Sequence, residues 1–241
     1  MDTLFEDTEI RERVEAIEEA FLKIAFSPDI HRRFPTIYSA AESYLSKKHL
    51  RNDESEIAFL DLYCEIHRAG SSYSKAERQR LDDKQGYFNH PGGLSPVIKA
   101  RHYIQTDSTS ADLGAGNGLQ GLLFQYLYPH RQTYQIELSS TLIEIGKQFQ
   151  KALEIDDSQI SWVNDDILNI DLDDIDFLYL YRPSKPIENG KALYENLEAK
   201  LNNRNRGLTI FSIADCLKDY LNTDYSVFYN DGHLTCFYLD R

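Results

Sequence analysis

The stretch Ser110-Ala111-Asp112-Leu113-Gly114-Ala115-Gly116-Asn117-Gly118 constrains the fold more than any other part of the chain. It leaves a short apolar run and opens an apolar helical pattern, with glycines at three alternate positions. Glycine suits such a bend because it tolerates positive φ and lets backbone approach a ligand with no Cβ in the way. The N–H groups that begin the following helix then face that ligand. Strand and helix patterns alternate from there on. Strands are predicted over 110–113, 132–137, 160–163, 175–181 and 208–213, and helices over 117–127, 139–153, 186–201 and 215–221. Two aromatic-rich runs, 225–229 and 234–239, flank Asn230-Asp231-Gly232, a hairpin signal. Repeated strand–helix units imply an α/β fold, a doubly wound and mostly parallel sheet whose C-terminal hairpin adds one antiparallel strand. Its ligand belongs at the carboxyl ends of the central strands.

The first 84 residues have a different texture. Ile10, Val14, Ile17, Phe21 and Ile24 recur at steps of three and four and predict one amphipathic helix. A second helix is expected over 36–50, after the breaks at Ser27-Pro28 and Pro35. Asp53 with Glu56, and Ser74 with Glu77, read as capping boxes opening a third and a fourth. Residues 1–84 are therefore taken as a helical cap or extension, and 85–241 as the sheet domain. Between them, 84–95 is a loop punctuated by Gly86, Pro91, Gly92 and Gly93, and Ser95-Pro96 opens another helix.

Charge bears on partners. Lys and Arg number 26 against 39 Asp and Glu, a formal net charge of −13, and so acidic a surface repels phosphate backbones and disfavours nucleic acid as a partner. No apolar run reaches the length of a membrane span, and the acidic residues Asp2, Glu6, Asp7 and Glu9 are the opposite of a basic leader. The chain is accordingly expected in the cytoplasm. Cys64, Cys216 and Cys236 lack C-x-x-C spacing and read as reduced, buried small residues. The acid run Asp171, Asp173, Asp174 and Asp176 includes no histidine, and no metal is expected there.

Two registers compete at the glycine bend. Gly116-x-Gly118-x-x-Gly121 satisfies the dinucleotide fingerprint. Asp112-x-Gly114-x-Gly116-x-Gly118 instead sets a carboxylate two residues before the first glycine, where it repels a diphosphate and welcomes a cation. Glu137 ends the second strand, 21 residues past Gly116, where it can take ribose hydroxyls in charge-assisted hydrogen bonds. In this register the chain resembles the class I (Rossmann-like) S-adenosylmethionine-dependent methyltransferases, whose first motif is an acidic residue followed by Gly-x-Gly-x-Gly. The resemblance covers roughly residues 84–241. It implies S-adenosylmethionine as cofactor, with Asp112, Gly114, Gly116, Gly118 and Glu137 in its site. It further implies that Asp166 and Ile167, or Asp165 instead, meet the adenine. Each acid has a plainer alternative: Asp112 as a helix cap, Glu137 as a strand-end acid, Asp165 and Asp166 as turn residues.

Less is legible on the acceptor side. The fourth strand ends in Tyr181-Arg182-Pro183, where relatives that methylate base amino groups commonly carry Asn- or Asp-Pro-Pro-aromatic, and base methylation loses support. Tyr181 is a candidate to orient the acceptor, and Arg182 or Lys185 to hold an acidic group on it; packing and solvation are the alternatives. Relatives use the segment before the first strand as a lid, which makes Tyr87 or Phe88 a candidate to cover the sulfonium and His90 a candidate general base. The expected function is methyl transfer to a small-molecule or protein acceptor. A non-catalytic module acting through its N-terminal helices is the alternative, a nicotinamide oxidoreductase the third reading, and those helices could also form a homodimer.

Overall fold

A computed structural model describes residues 2–70, 73–87, 90–214 and 216–241, with side chains from residue 8 onward. Among the described residues six α-helices precede the sheet: α1 (Asp2–Phe26), α2 (Pro28–Arg33), α3 (Pro35–Lys47), α4 (Asp53–Arg68), α5 (Lys75–Asp83) and α6 (Ser95–Lys99). Strand and helix then alternate through β1 (Thr109–Leu113), α7 (Leu119–Leu127), β2 (Gln132–Ile136), α8 (Ser140–Ala152), β3 (Ile160–Val163), β4 (Phe177–Tyr181), α9 (Glu188–Asn202) and β5 (Leu208–Ile213). The chain closes with β6 (Tyr225–Asn230) and β7 (Leu234–Leu239).

The strands form one sheet in the order β3-β2-β1-β4-β5-β7-β6. The first five run parallel, and β7 is antiparallel to both its neighbours. This is the architecture expected from the sequence. From β1 the chain winds out to β3 on one side and through β4 to β5 on the other, so a crevice opens where β1 and β4 end. Asp112 is in register with Tyr179 across that boundary.

Two apolar cores sandwich the sheet. On one face Phe177, Tyr179 and Phe211 pack with α7, α8 and the N-terminal helices, including Ile17, Phe21, Ile24, Leu62 and Ile66. On the other, Leu178, Leu180 and Ile210 pack with Leu193, Tyr194, Leu197 and Leu201 of α9. The stripe Leu142, Ile145, Phe149 and Leu153 is buried as its spacing requires.

Some local expectations need correction. Ile10 and Val14 are exposed, because α1 begins before the body against which its later turns pack. Asn52, not Asp53, caps α4, and its capping-box partner is Ser55 rather than Glu56. The short amide accepts from Glu54 and Ser55 N–H as well as aspartate would. The capping box of Ser74 and Glu77 forms as read. No helix follows β5 among the described residues: 216–220 are turns, and Asp215, its expected cap, lies outside them. Cys64 is only half-buried, whereas Cys216 and Cys236 are buried, and all three are free thiols. The acid run serves local structure: Asp176 accepts from Thr109 N–H and pairs with Arg206, which also reaches Asp174. Among the described residues no helix is long and apolar enough to cross a membrane.

Candidate active site

A cavity of about 1010 Å³, its open mouth included, lies at the carboxyl ends of β1 and β4. Tyr87, His90, Asp112, Gly114, Gly116, Glu137, Asp165, Asp166, Ile167 and Tyr181, all singled out in the sequence, line it together. Gly118 does not. It adopts φ +73°, and a Cβ there would fall 2.3 Å from the Trp162 ring, so it serves packing between the turn and β3. Gly118→Ala is expected to cost about 2–4 kcal/mol from left-handed backbone and overpacking, read as a lower urea midpoint.

The glycine turn is braced by side chains. Glu137, nearly buried, accepts from Gly116 N–H at 2.8 Å through one oxygen and from Ser139 N–H at 2.8 Å through the other. Burial pushes its carboxyl upward, against the pull of these donors. Asp112 is buried and accepts from Gly121 N–H at 3.2 Å. Desolvation dominates its environment, and with Glu137 nearby it lifts the carboxyl to about 7 despite the Gly121 bond.

The donors at the start of α7 are not open to a ligand in the way the sequence suggests. Leu119 N–H goes to Asn117 Oδ1 at 3.4 Å, and Gly121 N–H to Asp112. A diphosphate would meet two occupied donors and a carboxylate there, which weakens the usual anion seat of a helix N-terminus.

Beyond β3, Asp166 pairs with Lys84 and accepts from Leu168 N–H at 3.0 Å. Asp165 Oδ1 takes Asp166 N–H at 2.6 Å and the Asn169 amide at 2.8 Å, which hold its carboxyl below the usual range. Its Oδ2 accepts nothing among the described residues, so of the two acids Asp165 keeps the freer acceptor.

A strap of two segments borders the mouth. Gly86 and Ser184 form an antiparallel bridge, flanked by Tyr87 N–H to Pro183 O at 3.2 Å and Lys185 N–H to Gln85 O at 2.9 Å. The Tyr87 ring, expected to face the ligand's cation, carries the Arg182 guanidinium 5.1 Å and the Lys185 ammonium 5.8 Å from its centre. His90 is exposed, with its ring 6.4 Å from that of Tyr87. Phe88 lies outside the described residues.

Several lining residues escape sequence reading because distant elements supply them. His67 and Tyr73 come from the helical segment. Burial holds the His67 imidazole down at about 4, hence neutral at pH 7. Asn117, between two positive-φ glycines, donates to Ile66 O at 3.0 Å, His67 O at 3.1 Å and Ala69 O at 3.3 Å, tying the end of α4 to the turn. Tyr179 and Gln120 line the cavity, and Tyr179 Oη and Gln120 Oε1 are buried with no hydrogen-bond partner among the described residues. Both side chains press on Gly92, where a Cβ would fall 2.2 Å from Tyr179 Oη. Orphaned polar atoms at a cavity wall are what a polar ligand satisfies.

No protein-family model matches the chain, and no curated protein matches it. Solved structures do. An RNA methyltransferase from Salinibacter ruber, in complex with S-adenosyl-L-homocysteine, is 15% identical over 61% of this chain and 88% of its own, with a TM-score of 0.47. An rRNA methylase from Streptococcus thermophilus is 16% identical over 61% of this chain and 94% of its own, with a TM-score of 0.44. Geranyl diphosphate C-methyltransferase from Streptomyces coelicolor A3(2) is 15% identical over 61% of this chain and 55% of its own, with a TM-score of 0.40.

Proposed function

We propose that the chain is an S-adenosylmethionine-dependent methyltransferase acting on a small-molecule or protein acceptor. One observation carries the reading: a buried carboxylate, Asp112, lies at the wall of a nucleoside-sized cavity and takes the N–H of Gly121 in the first turn of α7. Such a wall favours a cation over a diphosphate. Glu137 would take the ribose hydroxyls, Asp165 or Asp166 with Ile167 the adenine, and Gly114 and Gly116 the close approach of backbone to the ligand. Tyr179 Oη and Gln120 Oε1 offer hydrogen bonds to its amino-acid end.

The cofactor would supply an activated methyl group. Its transfer would leave S-adenosylhomocysteine and a proton from the acceptor, which the residues beside the cavity would have to receive. The protein's part is alignment and exclusion of water, which can supply most of the acceleration. Tyr181 at the end of β4 is the orienting candidate, and exposed His90 the candidate to receive the proton. The helical segment acts as a wall of the pocket, since His67 and Tyr73 line it. Its use as a homodimer surface is the other possibility carried by the sequence. Net charge does not decide against nucleic acid here, because Lys84 and Arg182 line this cavity and Lys185 lies beside it.

Calorimetry with S-adenosylmethionine and S-adenosylhomocysteine tests the reading. Binding is expected in the micromolar range, and Glu137→Ala should weaken it about 10- to 100-fold, the value of a charge-assisted bond plus the lost brace on Gly116. Affinity unchanged in that variant, or binding of NADH in place of the adenosyl ligand, sinks it.

A further inference from the structure

Resting on the methyltransferase reading, we propose that Arg182 and Lys185 form an oxyanion subsite, and that the acceptor is a small acid held there by a carboxylate or phosphate group. Several cations of this acidic chain pair with carboxylates: Lys84 with Asp166, Lys48 with Glu18, Arg206 with Asp176, Arg241 with Asp224. Arg182 and Lys185 do not. Neither lies within ion-pair distance of a carboxylate among the described residues, yet both converge on one ring, Tyr87. Two like charges drawn together are stabilised when an anion bridges them.

Their placement gives direction to the site. Arg182 follows Tyr181 in the lining of the main cavity, while Lys185 lines an adjoining groove with Asp82, Gln85, Gly86, Tyr87 and His90. Gly86, Tyr87 and His90 belong to both, so the two spaces meet at the cations. The buried acids Asp112 and Glu137 bond to backbone of the glycine turn and the helix after it, whereas Arg182 and Lys185 belong to the strap. Asp82 is the one carboxylate of the groove among the described residues, and no ion pair joins it to Lys185. Backbone holds the arrangement. Arg182 adopts φ +35°, and the strap bonds of Tyr87 and Lys185 fix the ring against both cations. An acceptor whose acid group docks here would extend its reactive end past Tyr181 into the cavity.

The competing occupant of these cations is the carboxylate of the cofactor's own amino-acid end. Calorimetry on the full chain separates the two, with inorganic phosphate and acetate as probes, titrated before and after saturation with S-adenosylhomocysteine. Binding of at least one anion at millimolar concentration is expected to persist after saturation. It should fall at least tenfold in Lys185→Gln, an exposed position where folding is not at risk, and further in Arg182→Gln with Lys185→Gln. S-adenosylhomocysteine affinity should stay within about twofold in both. Displacement of the anion by S-adenosylhomocysteine overturns the proposal. So does a tenfold loss of S-adenosylhomocysteine affinity with that of 5′-methylthioadenosine, which lacks the amino-acid end, unchanged. Failure of both anions to bind a chain that takes S-adenosylhomocysteine defeats the oxyanion subsite alone. Failure of S-adenosylhomocysteine itself to bind defeats the methyltransferase reading.

Discussion

Replacing Asp112 by asparagine is expected to make the chain more stable and less able to bind an adenosyl cation. The carboxyl titrates at about 7 in the folded protein against 3.8 for an ordinary aspartate. Between those values the native state holds a proton that the unfolded chain has released, so stability falls as pH rises through that window. The span of about 3 units sets an upper limit of about 4 kcal/mol on the loss at pH 8. Asparagine carries no charge and keeps an oxygen for Gly121 N–H. Tm should therefore rise by about 5 °C or more at pH 8, with the gap closing near pH 4. Affinity for S-adenosylmethionine should drop about 10- to 100-fold. In the unaltered chain that affinity should climb from pH 6 to pH 8, because only the ionised carboxylate attracts the ligand. A variant less stable than the parent at pH 8, with affinity intact, would make Asp112 a structural residue.

Asn117→Asp should be among the most damaging isosteric changes. The amide supplies the donor for three carbonyls at the end of α4. Aspartate removes that donor and sets a negative charge against the negative end of a helix, in a place already buried. A loss of about 3 kcal/mol or more is expected, seen as a fall of about 10 °C in Tm. Asn117→Ala should be milder, since it leaves the carbonyls unpaired without opposing them. Thermal melts showing the reverse order would refute this account of the residue.

How far the sequence reaches is visible in these same residues. The glycine bend, the strand-end acids and the hairpin at Asn230-Asp231-Gly232 depend on neighbours within a few positions, and local chemistry reveals them. Asp112 and Glu137 were readable because a strand must end before such a turn. The work of Asn117 was not, because its partners lie about fifty residues upstream and only packing brings them together. Tyr179 is hidden for a related reason: its period marks it as core, and only packing shows that its hydroxyl lies against Gly92 without a hydrogen-bond partner among the described residues. The contact of the Tyr87 ring with Arg182 and Lys185 is set by strap pairing that no local pattern encodes. Ile10 and Val14 obey the helical period, yet periodicity does not say how far the supporting body extends.

The helical segment and the sheet share one apolar core on one face of the sheet. Leu119, Leu122, Phe124, Ile145 and Phe149 lie in the same apolar body as Ile17, Phe21, Leu62 and Ile66. Stripped of the first helices, the strand-bearing half would turn that oily flank toward water, much as a wall stands bare once the house beside it is pulled down. Evolution or an engineer could reshape the pocket's rim freely, but could discard this flank only by furnishing another.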